Sequence, residues 1–417
     1  MIDENSQNIL NQEYDAKMTR KYENKIQNSS LEIGDLQNGD PEVTNLKFLE
    51  KFNIQTLTLF INNLMSFKLR NGTIKELIFK LPISMKHQVV NWTANYLELE
   101  TLEILDLQSQ NLENNQLYNI AKFKKLRTLD VSENNVDLTH IHVVTSLTKL
   151  FMYRCDLKDI NQIAPLTNLE VLNVSSNKLN NINSICNLVH LKELKINWNN
   201  QLDITPLRSL VSLIKLDLGF CGLLQLSALK PLINLQDLDI QGNSNINITE
   251  LQYLKNLTHL NLIRCDLVSI CVLRPLLKLQ NLDIAYNDIV YLDANFNEME
   301  QLEELRVYDN LVSDFSSLEK YQKQSDKINK YGDRTFKVSN QRKPSKKQLR
   351  YANKLRHIEV PNVQLKEIQN KNKTYKTIFN NFKQEANEVV NNARSHQIQF
   401  TSLVVHFFQL MNQFGFE

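Results

Sequence analysis

The stretch "HLNLIRCDLVSI", residues 259 to 270, sets Cys265 between Arg264 and Asp266. A thiol beside a guanidinium has the means to act as a thiolate nucleophile, because a neighbouring cation favours the ionised form. In "LTHIHVV", His140 and His142 form a His-x-His pair, which elsewhere contributes two ligands to zinc. That pair has no cysteine or acidic companion at ligand spacing, so no metal site is expected. Five cysteines are an odd number, widely spaced and without a Cys-x-x-Cys pair, which argues against both a disulfide framework and a zinc site. A Gly-rich phosphate loop, an H-E-x-x-H helix, kinase-like H-R-D or D-F-G and a G-x-S-x-G elbow are all missing. The expectation is a protein with no catalytic residues and no cofactor. Whether Cys265 is poised for chemistry then depends on the element that holds it.

That element is one copy of a repeat. "LRTLDVSENNV" from Leu126, "LEVLNVSSNKL" from Leu169, "LIKLDLGFCGL" from Leu213, "LTHLNLIRCDL" from Leu257 and "LQNLDIAYNDI" from Leu279 are apolar at positions 1, 4, 6 and 11, with Asn or Cys at position 9. Registers begin at Leu102, Leu126, Leu147, Leu169, Leu191, Leu213, Leu235, Leu257, Leu279 and Leu302, at steps of 21 to 24 residues and mostly 22. Between the motifs, further aliphatics such as Ile182, Ile185 and Leu188 recur, and Pro165, Pro231 and Pro275 fall at position 19.

The pattern resembles the leucine-rich repeat family, whose signature is L-x-x-L-x-L-x-x-N/C-x-L. The short, proline-containing returns resemble the subclass that includes the regulatory subunit of protein phosphatase 1 and the bacterial internalins. The resemblance implies an α/β repeat solenoid, a horseshoe with a parallel concave sheet and short convex returns. It also implies that position 9 is buried and bonded to the backbone of the turn. Cys265 sits at position 9, as do Cys155 and Cys221, in the slot held elsewhere by Asn134, Asn177, Asn199, Asn243, Asn287 and Asn310. A buried cysteine without an activating partner is inert, so the structural reading prevails over a redox or catalytic one.

Strand alternation leaves positions 3, 5 and 7, flanked by 2 and 8, on the concave face. Their side chains do not hold the core and are free to bind. Trp198 and Phe220 occupy position 8 of adjacent copies, with Phe151, Tyr153, Tyr286 and Tyr308 on the same face. Aromatic and arginine side chains are the usual anchors of protein interfaces. Together with Arg154, Lys195, Arg264 and Arg306, these residues form the expected partner-binding surface. Asp217, Asp239 and Asp283 add an acidic ridge that suits a basic partner or the chain's own basic segment. The alternatives are that the aromatics merely cover gaps between strands and that the carboxylates are a solvated face.

The net charge of the 417 residues is +2, yet residues 320 to 376 hold seventeen Lys/Arg against four Asp/Glu, leaving the remainder at −11. The expected organisation is a polar, largely irregular segment over 1–45, then degenerate repeats and a cap over 46–101. The solenoid follows over 102–324, a basic linker over 325–361 and a heptad-patterned helix over 362–417. The degenerate copies are "FNIQTLTLFINNL", with Ile54, Leu57, Leu59, Asn62 and Leu64, and "TIKELIFKLPI" from Ile74. In the last segment, Leu365, Ile368, Asn372, Tyr375, Phe379 and so on to Phe414 alternate steps of three and four, the seam of a coiled coil. Such a helix spans roughly 75 Å. Self-association is the first expectation, with a hairpin against the solenoid end or docking on another protein's helix as alternatives.

No stretch of roughly twenty apolar residues occurs, so no transmembrane segment is expected, and the polar opening lacks the apolar run of a secretory signal. The sequence therefore points to a non-enzymatic, cytoplasmic or nuclear adaptor that binds a protein on its concave face. A regulatory subunit of an enzyme such as a phosphatase is the alternative, and a surface adhesin of internalin type is opposed by the missing signal. Nucleic acid is not an expected partner. Deletion of residues 362 to 417 is predicted to lower the oligomeric state measured by light scattering, and an unchanged mass would count against self-association.

Overall fold

A three-residue strand cannot bury its own leucine, so strands of this length persist only when stacked on like neighbours. A computed structural model of the chain describes residues 4–33, 46–60, 69–70, 72–80, 97–294, 296–312, 316–318 and 336–337. The chain forms two compact units, Met1–Cys221 and Gly222–Glu417. The first holds α1 (Glu4–Glu23), β1 (Ser30–Ile33), β2 (Thr56–Phe60), β3 (Leu69–Arg70), β4 (Glu76–Lys80), β5 (Leu97–Glu98) and β6 (Ile104–Asp106), followed by β7 (Thr128–Asp130), β8 (Lys149–Phe151), β9 (Val171–Asn173), β10 (Glu193–Lys195) and β11 (Lys215–Asp217). The second holds β12 (Asp237–Asp239), β13 (His259–Asn261), β14 (Asn281–Asp283), β15 (Glu304–Arg306) and β16 (Phe336–Lys337).

In the first unit β1, β2, β4 and β6 to β11 form a parallel sheet in chain order, and β3 pairs with β5 apart from it. Leu57, Leu77, Leu105, Leu129, Leu150, Leu172, Leu194 and Leu216 lie opposite one another from strand to strand. In the second unit β12 to β16 are likewise parallel, with Leu238, Leu260, Leu282 and Leu305 in register. These leucines occupy position 4 of the repeat, and all are buried. Each stabilises its stack by roughly 1.5–3 kcal/mol, and only because a neighbouring copy covers it.

The returns are 3-10 turns, such as Asn183–Asn187 and Thr205–Ser209 in the first unit and Thr249–Tyr253 and Cys271–Leu273 in the second. Four of them open with an Asx residue: the Asp159, Asn181, Asp203 and Asn247 side chains each accept the N–H two residues on, at 2.8–3.0 Å. The aliphatics Ile182, Ile185, Leu188, Ile270, Leu273 and Leu276 close the far side of the core.

The N-terminal segment departs from expectation. Residues 4 to 23, expected to be irregular, form α1, whose Met18 and Tyr22 are buried one turn apart, with the Tyr22 ring stacked 5.7 Å from Phe48. Ser30–Ile33 is a further strand ahead of the two degenerate copies, burying Leu31 and Ile33 against β2. Ile54, Leu57, Leu59, Ile74, Leu77 and Phe79 are buried as core residues. Asn62, Leu64, the heptad segment and the basic linker apart from 336–337 lie outside the described residues.

Position 9 carries the polar part of the core. The Asn177 side chain accepts the N–H groups of Cys155 and Leu157 at 3.0 Å and donates to the carbonyls of Met152, Val174 and Ser175 at 2.9–3.1 Å. Asn134 and Asn287 repeat the arrangement, binding their own turn and the preceding copy. Cysteine does less at the same place. The Cys265 thiol donates to the Ile240 carbonyl at 3.3 Å and receives the Asn243 N–H. Burial pushes the Cys155 thiol up to about 11 and those of Cys221 and Cys265 to about 12. Arg264, the flanking cation, instead lies over the Tyr286 ring at 4.9 Å. The three cysteines are therefore small buried donors and stay protonated in the physiological range.

Two outcomes follow from this core. Asn177→Ala strands several buried backbone groups at about 1–3 kcal/mol each, so it should lower the thermal or urea midpoint far more than a typical surface substitution. A thiol reagent at about pH 8 should label Cys186, the exposed cysteine, at once, half-buried Cys271 slowly, and Cys155, Cys221 and Cys265 only after unfolding. Fast labelling of Cys265 in the native protein would overturn its structural role.

Candidate functional site

Directly after each strand the chain must turn sharply, and position 8 absorbs the turn. Ser109, Glu133, Arg154, Ser176, Trp198 and Phe220 in the first unit, and Gly242, Arg264, Tyr286 and Asp309 in the second, all have φ between 54° and 68°. This left-handed conformation costs an L-residue about 1–2 kcal/mol, and glycine is the residue it prefers. Gly242 alone meets that preference. The backbone does not explain a tryptophan, a phenylalanine and a tyrosine at such positions, and burial does not explain Trp198 and Tyr286.

In the first unit, Trp198 is 54% exposed and its ring is stacked on Phe220, with centroids 4.1 Å apart and planes 15° from parallel. The side-chain Oδ1 of the adjacent Asn197 is buried and has no hydrogen-bond donor. Such an orphan costs about 1–3 kcal/mol. Lys195 is exposed on the same strand, 3.3 Å from Glu193. Two copies upstream, Phe151 and Tyr153 are half-buried, while Arg154 is exposed and lies 4.0 Å from Glu133.

In the second unit, the aromatics meet through arginine. The Arg264 guanidinium covers Tyr286, which meets the Tyr308 ring edge-on at 5.2 Å. Arg306 donates to Asp283 at 3.2 Å and pairs with Glu304 at 2.5 Å, so it is a tethered cation. Burial, and then the Asp283 carboxylate, holds the Tyr308 hydroxyl above its ordinary range.

Position 5 explains the acidic residues. In seven of the ten copies it is Asp or Asn, and the side-chain Oδ1 accepts the N–H two residues along: Asp106, Asp130, Asn173, Asp217, Asp239, Asn261 and Asp283, at 2.8–3.1 Å. Asp217 belongs to the first unit, and Asp239 and Asp283 to the second. Asp239 also accepts from Gln241 and Asn261, while Asp283, only 8% exposed, is held by Arg306. Burial raises both carboxyls above the usual range, partly offset by the strand N–H groups they accept. These carboxylates are fixtures of the strand end before they are a surface charge. The ladder of Asp and Asn at position 5 is visible in the sequence, but its backbone role is not.

His140 meets Tyr118 edge-on at 5.7 Å, and the His142 ring lies 3.0 Å from the Leu138 carbonyl. Among the described residues no group of three His, Cys, Asp or Glu converges as a metal site would, and no helix is long and apolar enough to cross a membrane.

No family model and no curated protein matches the chain. Among solved structures, a leucine-rich repeat protein of Leptospira interrogans is similar over 70% of this chain and 76% of its own, at 24% identity and a TM-score of 0.58. An internalin of Listeria monocytogenes is similar over 64% of this chain and 76% of its own, at 22% identity and a TM-score of 0.51. These likenesses concern the fold. Together with the parallel strands in chain order, the position-4 leucines in register and the Asn/Cys ladder, they identify the fold of this chain as a leucine-rich-repeat solenoid.

Proposed function

We propose that this protein is a non-enzymatic interaction scaffold that binds a protein partner on the sheet face carrying positions 3, 5, 7 and 8. The observation that carries the reading is the Trp198–Phe220 stack. A tryptophan held 54% exposed, in a backbone conformation that disfavours it and beside an unsatisfied Asn197 Oδ1, is a local cost that the fold does not require. Large aromatics of this kind anchor interfaces by trading exposed ring area for buried area. Tyr286, Tyr308 and Arg264 in the second unit offer another set of anchors. Five cysteines without a disulfide suit a reducing compartment, so we place the scaffold in the cytoplasm or nucleus. The heptad segment would multimerise or tether it.

The test is a comparative pull-down from the native cell lysate with the wild type and a Trp198→Ala/Phe220→Ala double variant. The variant is expected to keep the wild-type melting curve and to lose a defined partner, since anchor truncation costs about 2 kcal/mol or more, roughly thirtyfold in affinity. Identical partner sets from both proteins would remove the function from this face. If the lost partner brings phosphatase activity with it, the scaffold is an enzyme's regulatory subunit.

A further inference from the structure

We infer that the face of β8 to β11 receives an acidic peptide segment carrying an aromatic residue, a deepening that rests on the reading of this face as a protein-binding surface. At positions 3, 5, 7 and 8 of these four copies stand four exposed cations, Lys149, Lys195, Lys215 and Arg154. The same positions hold two carboxylates, Glu193, 3.3 Å from Lys195, and Asp217, which accepts the Gly219 N–H at 3.0 Å, so the cations, of which Arg154 also lies 4.0 Å from Glu133, exceed the carboxylates by two. The surface around the aromatic stack is therefore cationic.

Two of the cationic face's residues displace a structural one. Asp or Asn at position 5 caps its own strand end in seven copies, yet here the position is Phe151 on β8 and Lys195 on β10. Both copies give up the cap for a side chain that can contact a partner, one aromatic and one cationic. The second unit does the opposite, with Asp237, Asp239, Asp283, Glu304 and Asp309 at the equivalent positions against Arg264 and Arg306. Cationic character belongs to the strands that carry the exposed indole.

The exposed indole area takes a planar group, and an aromatic side chain stacks there with no charge to be repelled by the lysines. A basic partner would meet a net excess of positive charge, whereas Asp or Glu beside the ring gains from it. Four strands at 4.8 Å spacing present about 15 Å of face, the length of about five extended residues. Single-stranded nucleic acid would also stack on tryptophan, but it brings a charge at every nucleotide, and four lysine or arginine side chains offset by two carboxylates form a sparse track for it.

The experiment is selection from a random seven-residue peptide display library on the full chain, repeated on Trp198→Ala/Phe220→Ala and on Lys195→Glu/Lys215→Glu, each checked for a wild-type melt. Sequences rich in Asp and Glu around a Phe, Tyr or Trp are expected to enrich on the wild type and to be lost from the aromatic variant. Their affinity should fall at least about tenfold on the charge-reversed variant and survive in Lys195→Arg/Lys215→Arg. Enriched sequences that need the aromatic pair but carry no acidic excess would overturn the charge assignment and leave the protein-binding reading standing. Sequences held equally by the aromatic variant, no enrichment at all, or retention of an oligouridine strand in place of peptides would overturn both.

Discussion

Each of the ten copies from Leu102 to Leu302 turns sharply after its strand, and backbone N–H and C=O groups of that turn need partners. The position-9 side chain solves that problem, and the rest of the fold is arranged around it. Asn177 satisfies two N–H groups of the preceding copy and three carbonyls, two of them in its own turn, with a single planar amide. An amide suits the task because it donates and accepts at once. Since the acceptor side of each amide serves the copy before it, the bonds tie neighbouring copies together alongside the leucines. Cysteine is tolerated at Cys155, Cys221 and Cys265 because a thiol can still donate to the preceding carbonyl and accept one N–H. Each of these cysteines has asparagine in the copies on both sides, so no two weaker links adjoin.

The same turn forces position 8 into the left-handed region in every copy, whatever residue stands there. That uniformity makes the position informative. Serine, glutamate and glycine are accommodated at Ser109, Glu133 and Gly242, so the scaffold does not need a ring. Where a ring appears, at Trp198, Phe220 and Tyr286, it stands against backbone preference, and at Trp198 and Tyr286 also against the tendency of large apolar groups to bury. On the proposed reading, these departures without a structural return mark the surface that meets a partner.

The strands, their order and their pairing were legible because the leucine spacing repeats at a step long enough for one strand and one return. Within each unit the aligned position-4 leucines are the observed strand partners, from Leu105 with Leu129 to Leu194 with Leu216 in the first and from Leu238 with Leu260 to Leu282 with Leu305 in the second. Helix α1 was not legible, since its anchors Met18 and Tyr22 are two residues in a polar helix and leave no periodic stripe. At the candidate site, the exposed aromatics were readable from strand alternation, and the stacking of Trp198 on Phe220 follows from their shared position in adjacent copies. The acidic residues were not. Asp217, Asp239 and Asp283 look like a charged ridge in sequence, because the N–H that each one accepts is invisible until the backbone is bent.

That difference changes how charge on this scaffold is to be read. An aspartate at position 5 is the default that a strand end demands, so its presence says little about a partner. Asp283 is withdrawn further, buried and neutralised by Arg306. A lysine, arginine or phenylalanine at the same position forgoes a hydrogen bond that seven other copies make. Phe151, Lys195 and Arg306 are therefore worth more as signals than any carboxylate beside them. Arg306 is accounted for by its own pairs with Asp283 and Glu304, which replace the lost cap with intramolecular charge contacts. Phe151 gains only partial burial and Lys195 only a partly exposed pair with Glu193, which surface screening makes weak. The departures left unexplained by the fold thus fall on the strands that also present the Trp198 ring.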